Sequence, residues 1–190
     1  MTRRTWLYAL LAINTCLALP RQANAQEDRA SAVGSRVSPS LTLGGAFRAF
    51  GYGEYRTGAM LRAAIDTRVG GATEQRVGGA LSFTRFAIAG ATLDMPSAEA
   101  TYRIYPLRFP LYAGASAGLL VSRETFDVVL NRGVQITDKV TRVGAPGSIS
   151  VGVTLFRHVD LEAFYRHAVF FGGEGSGSFG YGGLALGGRR

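Results

Sequence analysis

The amino-acid sequence predicts an all-β fold, an eight-stranded antiparallel up-and-down barrel that crosses a membrane. Three observations predict it. Apolar residues recur with period two over long stretches, the alternate positions mix charges of both signs with tiny residues, and longer polar connections alternate with tight ones.

The first residues read as something other than the barrel. Arg3 and Arg4 precede a mostly apolar run from Trp6 to Leu19, and Ala23-Asn24-Ala25 is a small-x-small cleavage pattern. That order is a secretory signal peptide over residues 1–25, cut between Ala25 and Gln26. The apolar run is shorter than the roughly 20 residues a spanning helix needs. Ile13-Asn14-Thr15 is a poor lead-in for a lipid-modified Cys16. Cleavage removes the only cysteine, so an exported chain is held by packing and hydrogen bonds, with no disulfide framework. Losing Arg3, Arg4 and Arg21 lowers the net charge from +8 to +5. Every remaining basic residue is arginine except Lys139, which suits fixed pairing with carboxylates in a confined space. Residues 26–36 are polar and aperiodic, a flexible lead to a barrel domain over 37–190.

Segment one, about Ser38 to Phe50, alternates imperfectly. Segment two is the clearest: Tyr55, Thr57, Ala59, Leu61, Ala63, Ile65, Thr67 and Val69 oppose Glu54, Arg56, Gly58, Met60, Arg62, Ala64, Asp66 and Arg68. In segment three, about Arg76 to Ile88, Phe83 and Phe86 share a face only through a bulge. Segment four sets Ala98, Ala100, Tyr102 and Ile104 against Ser97, Glu99, Thr101, Arg103 and Tyr105. Segment five sets Leu111, Ala113, Ala115, Ala117, Leu119 and Val121 against Tyr112, Gly114, Ser116, Gly118, Ser122 and Glu124. Segment six places Val143, Ala145, Ile149, Val151, Val153 and Leu155 opposite Arg142, Ser148, Ser150, Gly152 and Thr154. Segment seven is shorter, Leu161, Ala163 and Tyr165 against Glu162 and Arg166. Segment eight, around Phe179 to Gly187, is glycine-rich and needs a bulge if Tyr181 and Leu184 face one way. Pro106–Pro110 and Phe156–Val159 are tight connections, Val69–Gln75 is intermediate, and Thr125–Asp138 and Gly172–Ser178 are longer; the first, near Gly51, is short.

Segments of this length match the roughly 9–11 residues a tilted strand needs to cross a bilayer's apolar layer. A soluble barrel would expose the charged face and bury the apolar one. The charged face is a poor solvent surface, because glycine, serine and alanine fill many of its positions. The apolar face therefore points outward to lipid, and the sheet must close because an unpaired edge is not tolerated there. The interior set expected to pair by charge is Arg56, Arg62, Asp66, Arg68, Glu99, Arg103, Arg142, Glu162 and Arg166, an ion-paired plug with a cationic excess.

Tyr105-Pro106 and the run Phe109-Pro110-Leu111-Tyr112-Ala113-Gly114-Ala115-Ser116-Ala117-Gly118 resemble the mid-barrel hairpin of small OmpA/OmpX-like outer-membrane proteins. Val151-Gly152-Val153 and Leu161-Glu162-Ala163-Phe164-Tyr165-Arg166 are similar to their sixth and seventh strands. The resemblance covers residues 37–190 loosely and implies a Gram-negative outer-membrane location, outer-membrane lipid and the barrel-assembly machinery as partners, and a monomer. Leu186-Gly187-Gly188-Arg189-Arg190 departs from the final aromatic residue such proteins carry for assembly.

Little chemistry stands out. Gly175, Gly177 and Gly180 spell G-x-G-x-x-G, but no helix can follow Phe179-Gly180-Tyr181-Gly182-Gly183, so the pattern is a loop. His158 and His167 fall at opposite rims and lack a third ligand, so no metal or cofactor is expected. The arginines alternate with carboxylates at strand spacing, unlike a nucleic-acid footprint. The expected role is structural or interactive, not enzymatic, through Thr125–Asp138 and Gly172–Ser178. Two competing readings are an outer-membrane lipid hydrolase resembling lipid A deacylases, using His167 with a serine such as Ser122, and a soluble periplasmic lipocalin-like carrier. A narrow water path through the lumen is a further reading of the cationic excess.

Overall fold

A computed structural model describes residues 37–51, 54–69, 73–106, 110–129, 135–156, 158–171 and 177–189. The expected signal peptide, its expected Ala25–Gln26 junction and the expected lead over 26–36 lie outside the described residues. Eight strands follow in chain order: β1 (Val37–Phe50), β2 (Thr57–Val69), β3 (Glu74–Ile88), β4 (Ala91–Tyr105), β5 (Leu111–Val129), β6 (Gln135–Leu155), β7 (Val159–Phe171) and β8 (Ser178–Arg189). Each pairs antiparallel with its chain neighbours, and β1 pairs with β8, so the sheet is a closed barrel.

Period two decides the facing of every strand. Leu81, Leu119 and Ile149 lie on the outer wall at 67%, 66% and 64% exposure, while Arg62, Glu99, Arg103, Glu162 and Arg166 are buried in the lumen. On β5 the outward run from Leu111 to Val121 has six apolar positions in succession. At the usual strand rise and a tilt near 40°, that run stands about 25 Å tall, the height of the apolar band of a membrane barrel. A surface of this kind is stable in hydrocarbon and not in water, so the barrel is transmembrane.

Several local expectations are corrected. Phe83 faces outward and Phe86 inward on a β3 of regular register, so no bulge is needed there. Tyr181 faces inward and Leu184 outward on β8, again by simple alternation. The irregularity instead falls on β1, where the pairing with β8 shifts between Arg48 and Phe50. Tyr55 lies before β2 and is buried, not on the outward row. Segment four begins earlier than Ser97. β3 and β4 form one hairpin across Ala89-Gly90, where Gly90 takes a φ of 76° that a side chain would resist.

The span Thr125–Asp138 is mostly not a loop. The β5–β6 ladder continues through Thr125↔Lys139 to Val129↔Gln135. On the flanks, β4 pairs with β5 only up to Ala91↔Phe126, and β7 pairs with β6 only up to Val143↔Phe171. A two-stranded ribbon therefore projects from one end of the barrel. The length read as an external loop is built from strand.

Candidate functional site

The lumen is organised in layers, because inward positions on adjacent strands meet at similar heights. Nearest the end that carries the Phe156–His158 turn, Arg103 reaches Asp160 (3.3 Å) and Glu162 (3.2 Å). Arg62 shares Glu162 at 3.5 Å, and the Tyr112 hydroxyl donates to the same carboxylate at 2.8 Å. The Arg103 guanidinium lies over the Tyr112 ring, 4.9 Å from its centre. Arg76 pairs with Asp66 (3.1 Å) and Glu74 (2.8 Å), and Arg189 pairs with Asp160 (2.7 Å).

The middle layer centres on Glu99. It pairs with Arg166 at 2.9 Å and accepts the hydroxyls of Ser82, Ser97 and Ser116. Arg166 also donates to Ser82 at 2.8 Å and to the Tyr181 hydroxyl at 3.4 Å, and Tyr181 meets Thr84 at 3.1 Å. A buried carboxylate keeps its charge at tolerable cost only when its lone pairs are met this fully.

Above Tyr181 the lumen changes character. Phe86 packs edge-on against Phe179 and Tyr181 at 5.2 and 5.4 Å, and Leu93, Met95 and Phe170 complete a dry cluster. At its outer edge the Tyr55 hydroxyl donates to Glu124 at 3.0 Å, and Arg142 pairs with Glu124 at 3.2 Å.

Among the expected interior residues, Arg62, Asp66, Glu99, Arg103, Glu162 and Arg166 come together in the two charged layers, and Arg142 lies apart near the ribbon. Arg56 and Arg68 are corrected: both are exposed, because Arg56 precedes β2 and Arg68 is one residue from its end. The cationic excess is corrected as well. Among the described residues, the two charged layers contain five arginines (62, 76, 103, 166, 189) and five carboxylates (66, 74, 99, 160, 162). Glu74, Arg76, Asp160 and Arg189 lie outside the expected set; extending the Glu162–Arg166 row by one step reaches Asp160, whereas segments three and eight alternate too weakly in the sequence to mark the others.

His167 and Ser122 do not meet. His167 lies on the outer wall of β7 with its ring 5.0 Å from that of Phe50, whereas Ser122 is buried in the lumen on β5, with β6 between. His158 is in the β6–β7 turn, with Nδ1 3.3 Å from the Arg189 carbonyl. His167 and Ser122 therefore do not form the nucleophile–base pair that the hydrolase reading named. A lumen of paired charges and packed rings is likewise no apolar carrier cavity. Among the described residues no group of three or more His, Cys, Asp or Glu side chains could hold a metal ion.

No protein-family model matches the chain, and no curated protein matches it in sequence. Solved structures do. The Neisserial surface protein A superposes with a TM-score of 0.52 at 20% identity, covering 80% of this chain and 95% of that one. Ail, the attachment invasion locus protein of Yersinia pestis, reaches 0.57 at 12% identity, over 80% and 98%. The N-terminal β-barrel domain of Pseudomonas aeruginosa OprF gives 0.53 at 17%, over 80% and 97%. The fold is that of the small OmpA/OmpX-like outer-membrane barrels. At these identities the likeness concerns the path of the backbone, and the side chains of this lumen and ribbon are read on their own terms.

Proposed function

We propose that this chain is a monomeric outer-membrane barrel of structural and interactive role, with a lumen filled against solute passage and a ribbon that engages a partner by strand pairing. One observation carries the interactive part. From Gln135 to Arg142, β6 is paired on its β5 side, while its ladder with β7 begins only at Val143. Among the described residues Gln135 to Thr141 have an edge without a ladder partner. An open edge of backbone donors and acceptors is a template for an added strand. The likeness to the Neisserial surface protein and to the Yersinia attachment invasion protein agrees with a role turned outward. The balanced charge and the aromatic layer support the filled lumen, and assembly would use the outer-membrane barrel machinery.

The test is a photo-crosslinking side chain placed in turn at Thr137, Lys139 and Thr141 in intact cells. The expected result is a discrete adduct, and the one formed from Thr141 should disappear when residues 127–137 are replaced by Asn-Gly, a turn that keeps the Phe126↔Asp138 register, while the barrel still folds. No adduct from any of the three positions would overturn the strand-pairing role.

A further inference from the structure

We propose that the outward face of β5 and β6, just beyond the apolar belt, binds the phosphate of a membrane lipid through Arg123 and Lys139. The inference rests on the membrane-spanning reading of the barrel and adds a ligand to it.

Register brings the group together. Arg123 is paired with Thr141, and Thr125 with Lys139, so the four alternate on one patch. Residues directly opposite have Cβ atoms about 5 Å apart and diagonal neighbours about 7 Å. Side chains as long as arginine and lysine can therefore close on one phosphate from two corners, with a threonine hydroxyl at each of the others. All four are on the outward parity: Ser122 and Glu124, between them on β5, are buried in the lumen.

Height selects the ligand. The next outward pair toward the membrane is Val121↔Val143, exposed at 43% and 51%, the last apolar pair of this wall. The patch is thus one residue pair beyond the hydrocarbon, where lipid phosphates lie. Lys139 is the sole lysine of the chain.

The nearby carboxylates are already engaged. Asp94, the β4 neighbour of Arg123, is held by Arg85 in a two-bond fork at 2.6 and 2.8 Å. Asp127 accepts the Thr137 hydroxyl at 2.9 Å, and Asp138 accepts the Lys139 backbone N–H at 2.8 Å. Neither Arg123 nor the Lys139 ammonium has a side-chain partner among the described residues. On the opposite side of the barrel Phe50 and His167 meet ring against ring.

The test uses the signal-cleaved chain refolded in detergent micelles, with bound lipid counted by native mass spectrometry. The probes are phosphatidic acid, the diacylglycerol of the same chains, and soluble glycerol phosphate. The expected result is that phosphatidic acid is retained and diacylglycerol is not. R123Q combined with K139Q should weaken phosphatidic acid by about 10- to 30-fold, from an attraction of roughly fivefold per basic residue near a charged surface. R123K should stay within about threefold of the native chain. Equal retention of the two lipids, or unchanged binding by the double variant, would overturn the site. Displacement by glycerol phosphate at matching concentration would overturn the lipid as its source. Migration of unheated against boiled protein on SDS gels reports folding. Should the double variant fail to fold, R123Q alone carries the test, with about a fivefold loss expected. A barrel that folds and enters membranes but ignores the phosphate sinks this inference alone; one that stays out of membranes sinks the reading beneath it.

Discussion

Glu99 is the residue on which the middle of the lumen depends, since three serines and Arg166 all converge on it. Removing one member of such a buried pair leaves a charge with nothing to meet it, at a cost of about 3–5 kcal/mol. Glu99→Ala or Arg166→Ala should each lose stability on that scale in urea titrations of the barrel folded into lipid vesicles. Glu99→Met with Arg166→Met removes both charges and should cost clearly less than the two single changes summed. Additive losses would mean that the pair is not coupled. Glu162→Ala should be at least as damaging, because it strands Arg62, takes one of the carboxylates of Arg103 and frees the Tyr112 hydroxyl. Replacing Arg56, exposed before β2, should stay within about 0.5 kcal/mol of the native chain.

The strands owe their closeness to inward glycines as much as to their ladders. A methyl at Gly118 would run into the Ala98 carbonyl and the Glu99 backbone of the neighbouring strand. Gly118→Val should therefore destabilise the β4–β5 seam by about 1–3 kcal/mol or block folding, lowering the temperature at which the folded band on SDS gels gives way. Gly79 faces outward with no atom closer than 3.8 Å to an added Cβ, and Gly79→Ala should be tolerated. Which residues face which way was legible in the sequence wherever a charge marked the row. Glu162, Phe164, Arg166, Ala168 and Phe170 share one parity, so even Phe164 and Phe170 could have been assigned to the lumen from their charged companions. What alternation does not carry is height along the strand. Arg56 and Arg68 had the right parity and the wrong level, and Thr125–Asp138 looked like a loop because its apolar residues change rows, from Leu119 and Val121 on the odd positions to Phe126 and Val128 on the even ones. The aromatic layer was hidden for a related reason, since Phe86, Phe179 and Tyr181 resemble lipid-facing residues until their register is known.

Across the whole molecule the two kinds of lumen packing stand in series. Water entering from the ribbon end meets the dry cluster around Phe86, Phe170 and Phe179, and water entering from the turn end meets side chains bridging β4 and β7 through Arg103, Asp160 and Glu162. An eight-stranded barrel leaves an interior just wide enough for side chains to fill, and among the described residues the charges of the two layers balance. The refolded protein should give no stepped conductance in a planar bilayer. Phe170→Ala combined with Phe179→Ala should also stay silent, because the ion-paired layers lie intact behind the space it opens. Steps from the native chain would sink the filled lumen altogether. Steps from the double variant alone would put the barrier entirely in the rings and reduce the charged layers to holding the wall together.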